Sequence, residues 1–108
     1  MHRHNRISVD DADQMIAMRE VRIVDIRDPD SYAACHIEQA EHLDQDRLSE
    51  FIAASDTEIP VIVCCYQGNL SQSAAALLTE QGFREVYSLD GGFAAWAARY
   101  PDACEPPL

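Results

Sequence analysis

The chain has 108 residues, 47% of them apolar, and a formal net charge of −11. That length and composition suit one domain around a single core, residues 1–108, and the strong negative charge argues against nucleic acid or an anionic membrane surface as a partner. No apolar run is long enough to span a bilayer, and the start Met1-His2-Arg3-His4-Asn5-Arg6 lacks the apolar stretch of a signal peptide, so the cytoplasm is the expected location.

In chain order, Ile7-Ser8-Val9 alternates as a short edge strand. Asp10 and Asp11 are placed to cap a helix running to about Met18, with Met15, Ile16 and Met18 as its apolar contacts. Residues 21–26 read as a buried strand ending in Asp25-Ile26-Arg27-Asp28. Pro29 suits the first turn of a helix capped by Asp28 and running to Ala34. Glu41-His42-Leu43 can form a very short third strand, and residues 46–54 a helix with Leu48, Phe51 and Ile52 inward.

Val61, Ile62, Val63 and Cys64 follow one another without alternation, the mark of a strand buried on both faces. Gln67-Gly68-Asn69 then breaks the pattern with residues that tolerate tight turns. Leu70, Ala74, Leu77 and Leu78 fall on one face of a helix reaching Gln81, with Gly82 as its stop. Residues 85–89 read as a strand, Asp90-Gly91-Gly92 as a turn, and residues 93–100 as a helix with Phe93, Trp96 and Ala97 on one side. Pro101 ends it, and the Pro-rich tail, residues 101–108, is expected to be loose.

Strands and helices alternate throughout. The expected fold class is therefore α/β, a small, mostly parallel sheet with helices on both faces, and ligands in such sheets bind beyond the carboxyl ends of the strands. Cys65 stands where the central strand ends and a helix begins. The backbone N–H groups of so short a loop, with the positive end of the helix dipole, make a cradle for an anion. A cysteine held there should ionise easily and act as a nucleophile. The length, the polar start and the ample core point to reduced thiols at Cys35, Cys64, Cys65 and Cys104, and since these form no Cys-x-x-Cys pair and no Cys/His metal spacing, no structural zinc is expected.

Several segments together resemble the rhodanese family: Val24-Asp25-Ile26-Arg27, His36-Ile37 with Ala40, the loop opened by Cys65 and Tyr66 and closed by Gly68-Asn69-Leu70-Ser71, and Leu89-Asp90-Gly91-Gly92-Phe93 followed by Trp96. The similarity covers nearly the whole chain and is greatest to the single-domain bacterial thiosulfate sulfurtransferases. It implies a rhodanese-like fold and a persulfide mechanism without a cofactor or metal. Cys65 matches the catalytic cysteine, and Tyr66, Gln67, Gly68, Asn69, Leu70 and Ser71 match the loop that surrounds the substrate sulfur. Thiosulfate is the implied donor, and cyanide, a small thiol or a thioredoxin-like protein the implied acceptor. Cys35 and Gln39 stand where many relatives carry Gly, and Gln67 and Leu70 replace more polar or basic residues of some relatives. No Lys or Arg lies between Cys65 and Glu80, so the loop brings no cationic side chain of its own.

Other residues admit plainer roles. Cys64 suits core filling, and Cys35 or Cys104 would resolve an oxidised Cys65 only if folding brought them close. Arg27 has two roles open, facing an anion or pairing with an acidic residue, and the pair is favoured. Asp25 suits loop anchoring, His36 a structural hydrogen bond, and Phe93 and Trp96 the core. Two other functions compete with sulfur transfer. A phosphatase or arsenate reductase on this scaffold would need an Arg following the cysteine and five further residues, at the place of Ser71, to clamp a dianion, and none is present there or at Leu70 before it. A sulfur-carrier or non-catalytic binding module on the same fold stays open beside the enzyme.

Overall fold

The computed structural model describes residues 5–103. Its strands are β1 (Asn5–Ile7), β2 (Arg22–Asp25), β3 (Glu41–His42), β4 (Val61–Cys64) and β5 (Val86–Leu89). The helices between and after them are α1 (Val9–Met18), α2 (Pro29–Ala34), α3 (Gln45–Ala54), α4 (Leu70–Glu80) and α5 (Gly92–Arg99). The strands form one sheet in the order β1-β5-β4-β2-β3, and every pairing is parallel.

The unbroken apolar run of β4 follows from its central place. Val61 and Val63 join Phe51, Ala75, Leu78 and Phe83 in a core on the α3 and α4 side. Ile62 and Cys64 point the other way, into a core with Ala12, Ile37, Leu89 and Trp96 on the side of α1, α2 and α5. Each valine, leucine, isoleucine or phenylalanine among them contributes about 1.5–3 kcal/mol by leaving water. Chain connections from β2 and β4, neighbours in the sheet, leave toward opposite edges, which opens a crevice beyond their carboxyl ends. Asp25 pairs with Cys64 in register, so Arg27 and Cys65 do emerge on the same rim.

Helix ends agree with local chemistry, with two corrections. The cap of α1 is Ser8, whose hydroxyl accepts the Asp11 N–H at 3.1 Å. Asp10 and Asp11 therefore lie inside the first turn, where their charge suits the dipole, and the strand before them ends at Ile7. The buried face of α4 is Ser71, Ala75 and Leu78, while Leu70 is 60% exposed. Helical spacing alone favoured the leucine stripe. A hydroxyl turned inward was unforeseen because its partners come from other elements. At the far end of α4 the expected stop holds: Phe83 N–H donates to Leu78 O and Gly82 N–H to Thr79 O, with Gly82 at φ 99°.

Cys64 and Cys65 are free thiols, but Cys35 is disulfide-bonded, which corrects the expectation of reduced thiols there. Sequence spacing says nothing about which sulfurs meet in space. Cys104 and most of the expected loose tail lie outside the described residues. Among those residues no helix is long and apolar enough to cross a membrane.

Gln39 is the only non-glycine with positive φ among the described residues, at 73°. It occupies the third place of a turn closed by the Ala40 N–H on Ile37 O at 2.9 Å, a place that suits Gly. Gln39→Gly is expected to stabilise the fold by about 0.5–1 kcal/mol, the left-handed cost removed less the extra freedom of the unfolded chain. Urea unfolding would measure it, and an unchanged midpoint would show that the turn carries no such cost.

Candidate active site

The site begins where β4 runs out of sheet. Cys65 is only 1% exposed and forms the floor of a cup of about 180 Å³, whose other walls are Tyr66, Gln67, Asn69 and Leu70. A larger groove of about 490 Å³ between β3 and α3 does not include Cys65, and its Arg22 is occupied by Glu41 and Ser55.

Two amide donors and one hydroxyl converge on the Cys65 sulfur, the hydroxyl accepting from the neutral thiol and free to donate to the thiolate. The Gly68 N–H lies 3.1 Å from Sγ, the Ser71 N–H 3.2 Å and the Ser71 hydroxyl oxygen 3.3 Å. Asn69, the residue before α4, makes no side-chain cap, so the first-turn amides are left for the sulfur. Burial alone would raise the Cys65 thiol, but hydrogen bonds from the Ser71 hydroxyl and the Ser71, Gly68 and Gln67 amides outweigh it and hold the thiol below its ordinary value. A hydrogen bond to a charged group contributes about 1.5–3 kcal/mol, so several together offset the desolvation of one thiolate. Cys64 next door has no such donors. It is fully buried, and burial followed by the charge of Asp25 pushes its thiol far up.

What turns the loop amides inward is α5, and that was not legible beforehand. The Phe93 N–H donates to Cys65 O at 2.7 Å and the Ala94 N–H to Tyr66 O at 3.1 Å. Pinning Tyr66 O toward α5 turns the Gln67 N–H of the same peptide toward the sulfur, and the Gly68 and Ser71 amides follow in the loop. Gly92 makes the approach feasible: a Cβ there would stand 2.5 Å from Cys65 O and 2.7 Å from Gln67 N. Gly68, at φ 91°, is hemmed in likewise, its missing Cβ 2.9 Å from Gly91 N. From the sequence, Asp90-Gly91-Gly92 reads as a turn only. The paired glycines directly before a helix were the signal for close backbone packing.

Residues 8–99 match the profile of the rhodanese-like domain. The chain belongs to the rhodanese family. It is 54% identical over 91 residues to the thiosulfate sulfurtransferase GlpE of Pseudomonas fluorescens Pf-5, covering 82% of this chain and 84% of that one. It is 56% identical over 95 residues to the protein of the same name from Stutzerimonas stutzeri, covering 86% and 87%. Among solved structures, the rhodanese-like domain of an Anabaena protein superposes with a TM-score of 0.81 at 23% identity, over 90% of this chain and 76% of that one, which speaks for the fold.

The remaining residues of this rhodanese take supporting places. Arg27 is buried and its Nη2 donates to Asp25 Oδ2 at 2.8 Å and to Cys35 O at 2.6 Å. Its Nε bridges both Asp25 oxygens at 3.1 Å. The guanidinium also lies 4.0 Å from the centre of the Phe93 ring, so the favoured pair with Asp25 is present and it ties the end of β2 to α5. Phe93 thereby holds the loop by its amide and Arg27 by its ring. Tyr66 is 41% exposed at the rim, where its hydroxyl donates to Asp28 and accepts the Asp28 N–H at 3.0 Å. That bond, with those from Ser31, holds the Asp28 carboxyl well below the usual range. His36 Nδ1 sits 2.7 Å from Tyr32 O, the structural bond expected of it. Trp96 is core, and Phe93 is only partly buried.

Proposed function

We propose that this rhodanese is a thiosulfate sulfurtransferase working through a persulfide on Cys65, with residues 1–108 acting as one domain. The observation that carries the reading is the convergence of the Gly68 and Ser71 amides and the Ser71 hydroxyl on one sulfur at the floor of a cup. The curated relatives named for this activity support it.

The Cys65 thiolate attacks the outer sulfur of thiosulfate. The new Sγ–S bond forms as the old S–S bond breaks, and sulfite leaves with the bonding electron pair. Cyanide or a thiol then attacks the outer sulfur of the persulfide, and Cys65 is released as thiolate. Tyr66, Gln67, Gly68, Asn69, Leu70 and Ser71 form the substrate loop in this reading, and its main-chain dipoles take the place of a cationic side chain. The exposed Leu70 and Tyr66 give the rim an apolar surface on which a thioredoxin-like acceptor can rest. A reducing cytoplasm would keep Cys65 ready, though the disulfide at Cys35 weighs the other way.

Intact mass after thiosulfate treatment is the direct test. One added sulfur is expected, removed by reductant and mapped to Cys65. No addition, or addition on another cysteine, would overturn the assignment. Hydrolysis of aryl phosphates should stay at background, since no Arg stands in the loop.

A further inference from the structure

The sulfur's hydroxyl donor is itself held by a second buried hydroxyl. Ser88 lies in β5, 1% exposed, with its Oγ 2.7 Å from the Oγ of Ser71, which is fully buried. Along β5, Val86 joins the core on the α4 side, and Ser88, two residues on, shares that face. Ser71 comes to meet it from the buried face of α4. A hydroxyl in the middle of a sheet is costly there unless bonded. Neither the apolar core face of β5 nor the helical stripe of α4 calls for one at these positions.

We propose that Ser88 is a positioning residue for the nucleophile: its hydroxyl donates to Ser71 Oγ and so turns the Ser71 hydroxyl toward Cys65 Sγ. The proton count of the row Ser88–Ser71–Cys65 supports the direction. The row has two contacts, Oγ to Oγ and Oγ to Sγ. With Cys65 ionised, two hydroxyl protons fill two contacts, Ser88 to Ser71 and Ser71 to sulfur. With Cys65 neutral there are three protons, and one is left over, either the Ser88 hydroxyl proton inside the sheet or the thiol proton at the floor of the cup. The row is therefore matched to the anion, and Ser88 decides which way the Ser71 proton points.

The titratable groups on the neighbouring strands have partners of their own. The Cys64 thiol is kept neutral chiefly by burial, and Asp25 and Arg27 neutralise each other as a buried ion pair. Along β5, Tyr87 donates to Glu85, which is itself paired with Arg19.

This inference rests on Cys65 being the reactive thiol but needs no sulfur transfer to test. The rate of Cys65 alkylation by iodoacetamide, mapped by peptide mass and followed against pH, reads its ionisation alone. Ser88→Ala is expected to move the midpoint up by about half to one pH unit, the worth of one hydrogen bond. In a Ser71→Ala background the same change should move it no further, because Ser88 acts only through Ser71. Ser88→Thr should keep the wild-type profile, while Ser88→Val, of the same shape without the hydroxyl, should shift like alanine. That pair carries the test if the alanine variant does not fold. An unmoved midpoint in Ser88→Ala, an equal shift in the Ser71→Ala background, or identical profiles for the Thr and Val variants would each overturn the proposal. Failure of thiosulfate to load Cys65 would instead count against the sulfurtransferase reading and leave this result standing.

Discussion

Cys65→Ser is expected to bring thiosulfate-to-cyanide transfer down to the uncatalysed background, while Cys64→Ser keeps most of the activity. The two sulfurs are neighbours in sequence and opposites in setting. Cys65 lies under Gly68 and Ser71 donors at the floor of a cup, whereas Cys64 points into the core beside Ile62 and Leu89. A serine hydroxyl at position 65 would accept the same hydrogen bonds but would not ionise near neutral pH, so the cradle would hold a group with no nucleophile. Serine at position 64 should lower stability by about 1–2 kcal/mol, the cost of a hydroxyl in an apolar pocket, without moving the loop. The pH dependence carries the same sign. Because the donors hold Cys65 below the ordinary thiol value of 9.0, the rate of persulfide formation should rise with pH with its midpoint below that value. Initial rates of thiocyanate formation for both variants, with urea midpoints alongside, would check this. Equal loss in the two variants would sink the assignment of Cys65.

Gly92→Ala should cost on the order of 100-fold in the same assay, although the residue offers no chemistry of its own. The added methyl would stand 2.5 Å from Cys65 O and 2.7 Å from both Gln67 N and Tyr66 C, all backbone atoms that cannot rotate aside. The loop would have to leave α5, losing the bonds from the Phe93 and Ala94 N–H groups that pin its carbonyls outward. Its amides would then no longer aim at the sulfur. Gly82 supplies the control. It also has positive φ, 99°, but a methyl there meets nothing within 4 Å. Gly82→Ala should therefore lower stability by about 1 kcal/mol and leave turnover intact. If Gly92→Ala keeps wild-type kcat/KM with a native circular dichroism spectrum, the helix α5 is not what orders the loop.

Much of this protein is local and could be read without coordinates. The bounds of Val61–Cys64 and Pro29–Ala34 follow from an unbroken apolar run and from an Asp-Pro helix start, and both signals act over neighbouring residues. Cys65 was legible for the same reason: a buried strand, a glycine-bearing loop and a helix start in direct succession leave little freedom for what lies between. The gaps have a common cause. Ser71 and Ser88 are ordinary polar residues until α4 and β5 bring their oxygens to 2.7 Å, and the role of Gly92 appears only when α5 is laid against a loop that precedes it in the chain. Arg27 had two roles open because only packing could set its guanidinium on Asp25 and over Phe93. The sequence by itself determined which strand is central and which sulfur stands at the junction of that strand and the next helix, since backbone sterics and apolar periodicity act within a few residues. Tertiary structure alone decided what surrounds that sulfur, because the groups that aim its loop and its hydroxyl partner come from segments far apart in the chain, and hydrogen bonds form only where folding has already brought atoms together.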